Sequence, residues 1–177
     1  MTATLPVPVR FALPNDGWVP VRPEAVGVSN AAFMAARRGL PGSYDPTLTI
    51  SGGWREDDAT LEQIADESVE KLRLEGATEV ELVKRRVTES EHAPAVTQAI
   101  GAMVAVEGRV YDLRQAQVVQ GLVDVHDSDK RVVVIYTMTC TFAQWEQMVP
   151  EFQAFMASVE VAPEQTDGVP LGAGQPK

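Results

Sequence analysis

Hydrophobic residues recur at helical spacing in a first segment, where apolar positions from Leu61 to Leu72 fall on one stripe at intervals of three and four residues. Thr60 and Gln63 match a capping box, in which each side chain accepts a hydrogen bond from the other residue's backbone N–H. Gly76 follows and supplies the left-handed residue that commonly ends a helix. The pattern therefore predicts an amphipathic helix that begins after Thr60.

A second helical stripe covers residues 145–159, where seven large apolar side chains share one face. Thr141 and Gln144 repeat the capping-box pattern just ahead of it. Pro150 lies inside the segment and removes one backbone donor, which predicts a kink near Pro150 or a late start of the regular helix. This helix is expected to anchor the fold through its aromatic side chains.

The remaining ordered segments are typical of strands, because β-branched residues alternate with polar ones. The predicted strands are residues 9–13, 31–37, 47–54, 79–88, 98–106, 109–122 and 131–141. Glu107 and Gly108 predict a hairpin turn, and residues 127–130 predict another. The last strand is apolar on both faces at its start, which places it centrally in the sheet. These elements predict an α+β fold in which two amphipathic helices cover an antiparallel meander, an α/β/α sandwich.

Two of these strands carry more polar residues than a doubly buried strand tolerates. In residues 79–88, Val80, Leu82 and Lys84 are expected on one face and Glu81, Val83 and Arg85 on the other, which predicts a half-exposed strand. The polar side chains of residues 109–122 include Tyr111, Arg114, Gln115, Gln117 and Gln120. One face of the sheet is therefore expected to be open to a partner.

The two ends of the chain differ from the middle. Residues 1–8 contain two prolines and predict an extended lead-in. Residues 163–177 are rich in proline and glycine and lack apolar periodicity, so they predict a flexible tail. No repeat or linker divides residues 9–162, which are expected to form a single domain.

Charge excludes several classes of function. The 177 residues include 15 Lys and Arg against 25 Asp and Glu, for a net charge of −10. This excess of acid argues against nucleic-acid binding and against electrostatic docking on an anionic membrane, since both need clustered basic residues. No apolar run reaches the length of a membrane-spanning helix. The start of the chain lacks the features of a signal peptide, so a cytoplasmic location is expected, with export after removal of a leader as the alternative.

Candidate reactive groups are few. Cys140 is the single cysteine and is interpreted as a core residue, with a nucleophile as the alternative. His92 and His126 are expected in solvated loops. Residues 124–129 are rich in aspartate but lack the spacing of a calcium loop, so a turn is favoured. Residues 56–75 carry eight acidic against two basic side chains and predict a solvated face, with a basic partner as the alternative.

Four segments are similar to the PsbP-like superfamily, in particular its LpqN and DcrB branches. They are the opening Leu-Pro-Asn-Asp-Gly-Trp at residues 13–18, the helix start at 60–65, the strand at 136–141 and the helix at 145–159. The resemblance covers about residues 9–162 and implies a fold of small accessory proteins, related to EagR-type secretion chaperones, that act by binding without a shared active site. The chain departs from the lipoprotein branch, because Cys140 cannot serve as an acylated N-terminal cysteine.

The expected function is therefore non-enzymatic: an accessory protein, such as a chaperone or adaptor, for a secreted or membrane-associated protein partner. No cofactor, metal or catalytic residue is predicted. The predicted binding residues are Trp18, Trp54, Tyr111, Arg114 and Gln117. Exposed tryptophans would be natural anchors for a partner, but core packing is favoured for both Trp18 and Trp54. Two alternatives stay open: a small enzyme with a Cys140-centred or acidic site, and a structural homodimer that pairs through an open sheet edge.

Overall fold

The computed structural model describes residues 5–91, 93–123 and 131–161. The helices are α1 (Leu61–Leu74) and α2 (Trp145–Ser158). The strands are β1 (Val9–Arg10), β2 (Trp18–Pro20), β3 (Phe33–Arg37), β4 (Thr47–Arg55), β5 (Thr78–Thr88), β6 (Ala95–Val106), β7 (Arg109–Val123), β8 (Arg131–Thr141) and β9 (Glu160–Val161).

Seven strands form one antiparallel sheet in the order β2-β3-β4-β8-β7-β6-β5. β8 is the fourth of the seven, which confirms its predicted central place. The hairpin between β6 and β7 turns at Glu107 and Gly108, whose φ angles of 50° and 79° are those that such a tight turn requires. α1 connects β4 to β5 and so carries the chain from the middle of the sheet to its edge.

The two helices cover opposite faces of the sheet, because successive side chains of β8 point to opposite sides. Tyr136 and Met138 belong to a large apolar cluster with Phe155 of α2. Val133 of the same strand packs with Ile64 of α1 in a smaller cluster. The predicted α+β fold, with helices on both faces, is confirmed.

Both capping boxes are present. Thr60 Oγ1 accepts from Gln63 N at 3.0 Å, and Gln63 Oε1 accepts from Thr60 N at 2.8 Å. Thr141 and Gln144 make the same pair of bonds, but around a 3₁₀ turn, Phe142–Gln144, that precedes α2. α2 then contains Pro150 within its regular turns.

Three short strands differ from the prediction. The strand expected at residues 9–13 is only β1, which pairs with β9 and lies outside the large sheet. Phe11 leaves this pairing to pack against Phe33 and Phe155, with ring centroids 4.7 and 5.4 Å apart. β2 and β9 were not predicted, because two or three residues are too short to show alternation.

The core extends into the segment predicted as an extended lead-in, since Leu5 is 1% exposed. Leu5 packs over β4 at Gly52, where a Cβ atom would lie 3.2 Å from its Cδ2 atom and 2.5 Å from Val133 O. A glycine at position 52 thus lets the chain approach the sheet closely. Several predicted features lie outside the described residues: residues 1–4 of the lead-in, His92, His126, the aspartate-rich segment 124–129, the turn at 127–130 and the tail at 163–177.

The alternation predicted for residues 79–88 is wrong beyond Leu82. Leu82 is opposite Ile100 and Lys84 is opposite Ala99, so Val83 is an extra residue in the ladder. Such a β-bulge shifts the following side chains to the other face, and a period of two cannot reveal it. Lys84 therefore lies on the same face as Glu81 and not on that of Leu82.

Candidate functional site

A groove of about 300 Å³ runs between α1 and the middle strands of the sheet. Its floor consists of hydroxyl and amide side chains of β4, β7 and β8: Thr49, Ser51, Gln115, Gln117 and Thr137. Its wall is the inner side of α1: Ile64, Glu67, Ser68, Lys71, Leu72 and Glu75. The segment before β3 forms the far rim with Val28, Asn30 and Ala31.

The floor is polar because of the alternation in β4. Leu48 and Ile50 point into the α2-side core, where they are 1% and 0% exposed. The intervening Thr49 and Ser51 must therefore face α1. Threonine and other β-branched residues pack well on a pleated surface, so β4 stays a regular strand. Its α1-side face nevertheless offers hydroxyl groups for hydrogen bonding.

A buried amide network holds the floor in place. Gln98 Nε2 donates to Ala65 O of α1 at 3.1 Å and to Gln117 Oε1 at 2.8 Å. Gln117 Nε2 donates in turn to Thr137 Oγ1 at 3.3 Å. Arg85 donates to Gln98 Oε1 through Nε at 3.0 Å and through Nη2 at 2.7 Å. The floor is thus pre-organised, because Gln98 and Gln117 are buried and satisfied.

The charges around the groove come in both signs. Arg55 Nη2 lies 2.8 Å from Asp57 Oδ2 and 2.9 Å from Glu67 Oε2. The hydrogen bond to Arg55 holds the pKa of the Asp57 carboxyl below its ordinary value. Lys71 Nζ lies 4.0 Å from Glu75 Oε2. Because acids and bases alternate along the rim, the groove does not select strongly for an ionic ligand.

Three hydroxyls remain available in this groove. Thr49, Ser51 and Ser68 line it and make no side-chain hydrogen bond within the part of the chain that the structure describes. Each hydroxyl can donate one hydrogen bond and accept two. The arrangement can therefore bind a polar group such as an amide.

Cys140 is fully buried at the end of β8. Burial raises the pKa of its thiol to about 12, and the nearby charge of Arg114 offsets this only in part. The thiolate, which is the reactive form, is thus scarce at neutral pH. Within residues 5–91, 93–123 and 131–161, no group of three His, Cys, Asp or Glu side chains could hold a metal ion. No helix among these residues has the length and apolarity needed to cross a membrane.

Trp18 is buried, which agrees with the favoured core packing and removes it as an exposed anchor. Its indole Nε1 donates to Glu151 Oε1 of α2 at 2.7 Å, and Arg37 Nε of β3 lies 3.0 Å from the same oxygen. The physical reason is that β2 pairs with β3 and directs Trp18 and Arg37 together under α2. Trp54 is 54% exposed, so the core packing favoured for it is wrong.

The other predicted binding residues are scattered. The Tyr111 ring packs 5.2 Å from that of Tyr44. Arg114 lies 4.6 Å above the centre of the Phe142 ring. Gln117 alone lies in the groove. The structure thus does not bring the five together. Sequence reasoning did not identify Thr49 and Ser51 as site residues. The signal was present, because these hydroxyl residues alternate with the apolar Leu48 and Ile50 along β4.

No known family profile matches the sequence, and no curated protein is similar to it. Solved structures do resemble it. LpqN, involved in cell envelope biogenesis of Mycobacterium tuberculosis, has a TM-score of 0.58 at 10% identity and covers 89% of this chain and 86% of its own. Cyanobacterial PsbP from Synechocystis sp. PCC 6803 has a TM-score of 0.53 at 14% identity and covers 83% of each chain.

A third solved structure is that of PA94, a protein of unknown function from Pseudomonas aeruginosa, with a TM-score of 0.51 at 20% identity. The match covers 75% of this chain and 83% of that protein. At identities of 10–20% these likenesses concern the fold. The PsbP-like fold that the resemblance implied is confirmed, and the relation to EagR-type chaperones stays a prediction.

Proposed function

We propose that this chain is a non-enzymatic accessory protein that binds a segment of a partner protein in the groove between α1 and the sheet. The observation that carries the proposal is the floor of the groove, where the unpaired hydroxyls of Thr49 and Ser51 lie beside the fixed amide of Gln117. Because these groups are already ordered, a ligand would bind with little further loss of conformational entropy.

A short extended polypeptide has the matching chemistry. Its backbone offers alternating N–H and C=O groups, and hydroxyl and amide side chains can bind both. The apolar Ile64, Leu72 and Ile135 in the same groove would contact small side chains of the segment. A volume of about 300 Å³ is at the lower end for ligand sites, so only a few residues would enter.

The class of partner is part of the proposal, and the fold comparison supports it. LpqN is a protein of cell envelope biogenesis, and its fold is shared by this chain. We therefore propose a chaperone or adaptor role for a secreted or membrane-associated protein, with this chain acting from the cytoplasm. Low net charge at the groove is compatible with a neutral client segment.

Site-specific photo-crosslinking in the native host tests the proposal. A photo-reactive amino acid at Ser68, on the groove side of α1, is expected to give one discrete adduct with a partner protein. The matched control carries the same amino acid at Glu146, an exposed residue of α2 on the opposite face, and is expected to give no such adduct.

A second variant tests whether the groove itself is occupied. Ser51→Phe places a large side chain in the groove and is expected to abolish the Ser68 adduct while the protein keeps its thermal unfolding temperature. Equal adducts from both positions, no adduct from either, or an adduct that survives Ser51→Phe in a folded protein would each overturn the proposal.

A further inference from the structure

The long free edge of the sheet is β5. This strand has eleven residues and pairs with β6 on one side, and no strand pairs with its other side in the described part of the chain. The opposite edge, β2, has only three residues and includes Pro20, which lacks a backbone donor. An edge of this length is a template for another strand unless the sequence blocks it.

Charges on β5 are segregated along the strand. Glu79 and Glu81 occupy its first half, and Lys84 and Arg86 occupy its second half. None of these four makes an ion pair with any residue of the described chain, whereas Arg85 does, with Asp66 at 2.8 Å. The edge therefore presents an acidic and a basic segment, and neither is neutralised internally.

Apolar side chains separate and flank these charges. Leu82, Val83 and Val87 are 40%, 53% and 47% exposed. When another strand covers exposed aliphatic residues on an edge strand, the burial of their apolar surface stabilises the pairing. The centre of β5 is thus the apolar part of the edge, with opposite charges on either side.

The β-bulge at Val83 makes this pattern self-complementary. Because Val83 is an extra residue, Glu81 and Lys84 lie on one face of the sheet, with Leu82 between them on the other face. In an antiparallel pair, residues directly opposite each other share a face. A two-fold contact centred on Leu82, in which Val83 stays outside the new ladder as it does opposite β6, would set Glu81 of each copy opposite Lys84 of the other.

We propose that two copies of this chain associate through their β5 strands, antiparallel and centred on Leu82, to form one continuous sheet. Each contact would hold two Glu81–Lys84 pairs and a contact between the two Leu82 side chains. The partner is a second copy because the two segments of one edge match each other in charge, which is the condition for a closed two-fold contact. This inference does not depend on the occupant of the groove.

One existing contact borders the interface. Arg73 Nη2 of α1 donates to Val80 O at 3.3 Å, near the start of β5. The Arg73 side chain is 49% exposed and also binds Glu70, so it can move aside at little cost. The Arg73 side chain therefore does not prevent a second strand from pairing with β5 around Leu82.

Charge reversal with sedimentation analysis tests the proposal. Wild-type protein is expected to show a concentration-dependent dimer at low ionic strength that weakens as salt is added. Glu81→Lys and Lys84→Glu each set like charges opposite each other, and each is expected to raise the dimer dissociation constant about tenfold or more. An equimolar mixture of the two variants restores opposite charges and is expected to form a mixed dimer.

Two controls separate this interface from others. The double variant Glu81→Lys with Lys84→Glu exchanges the charges and is expected to associate like the wild type. Glu146→Lys makes the same reversal on α2, far from β5, and is expected to leave the dissociation constant unchanged. A monomeric wild type, dimers that persist in both single variants, or a mixture that stays monomeric would each refute the β5 interface.

Discussion

At the scale of single residues, Glu151 is the group that joins α2 to the short edge strand. Its carboxylate accepts from Trp18 Nε1 and from Arg37, and the Glu151 side chain is only 15% exposed. Burial alone would raise the pKa of Glu151, but hydrogen bonds from Arg37, Trp18 and Asn15 outweigh it and hold the pKa below its ordinary value. The ionised form is thus favoured in the folded protein.

This arrangement predicts that Glu151→Gln lowers the free energy of unfolding by about 2 kcal/mol at neutral pH. A carboxyl whose pKa is depressed on folding stabilises the protein above its unfolded pKa, and this contribution is lost as the pH falls through the lower, folded value. The difference between wild type and variant should therefore shrink below about pH 4 in urea titrations. Glu146→Gln, at an exposed position of the same helix, should show no such difference.

The Cys140 thiol leads to a second prediction at this scale. Because it is fully buried and its pKa is raised to about 12, alkylation by iodoacetamide should be slow in the native state and should accelerate on unfolding. The alkylation rate is measured with and without denaturant by quenching the reaction at successive times and determining the modified fraction by mass spectrometry. Fast native modification would instead support the alternative of a reactive cysteine.

At the scale of elements, the two capping boxes invite a comparison. Thr60→Ala removes the acceptor for Gln63 N at the start of α1 and is expected to cost about 1 kcal/mol of stability. Thr141→Ala is expected to cost less, since its bond to Gln144 N is longer at 3.3 Å and it caps only a 3₁₀ turn. Equilibrium unfolding of both variants measures the difference, and an equal loss would contradict this ranking.

Helices and strands with a clear hydrophobic periodicity could be predicted from the sequence. Elements whose conformation depends on tertiary contacts could not. The stripe of α1 and its cap at Thr60 specify a helix locally, so the sequence predicted its start correctly. β2 contains three residues whose conformation depends on pairing with β3, which no local pattern encodes. The bulge at Val83 belongs to the same class, because an extra residue is defined only relative to the partner strand.

The candidate groove was only partly predictable for the same reason. Gln117 was identified from its polarity, but its burial depends on Gln98 and on Ala65 of α1, which are distant in sequence. Thr49 and Ser51 show regular alternation in β4, so their shared face could be inferred. That this face meets α1 required the topology, because α1 crosses from the middle of the sheet to its edge.

At the scale of the whole molecule, β8 belongs to both halves of the core. Tyr136 packs toward α2 and Val133 toward α1, so disruption of one cluster affects a strand that the other needs. Phe155→Ala should lower stability by about 3–5 kcal/mol and Ile64→Ala by about 2–5 kcal/mol. In both variants, tryptophan fluorescence and far-ultraviolet circular dichroism should report one coincident thermal transition.

A biphasic transition in either variant would mean that the α1 and α2 halves unfold independently. The alternation of β8 argues against that outcome, because successive residues of this one strand pack into the two clusters, so the loss of either cluster disturbs the strand that both share. Val19→Thr, at an exposed position of the edge strand β2, is a suitable reference with little expected effect.

The small β1–β9 pairing gives the chain nearly the form of a closed ring. Val9 lies opposite Val161, so two segments from opposite ends of the described chain meet there. A linker could join the chain before Leu5 to the chain after Val161, and the ring could be reopened between Glu107 and Gly108, which would keep Leu5 in the core and leave every strand of the seven-stranded sheet intact. The order in which the elements follow one another would then be separable from the shape that they build.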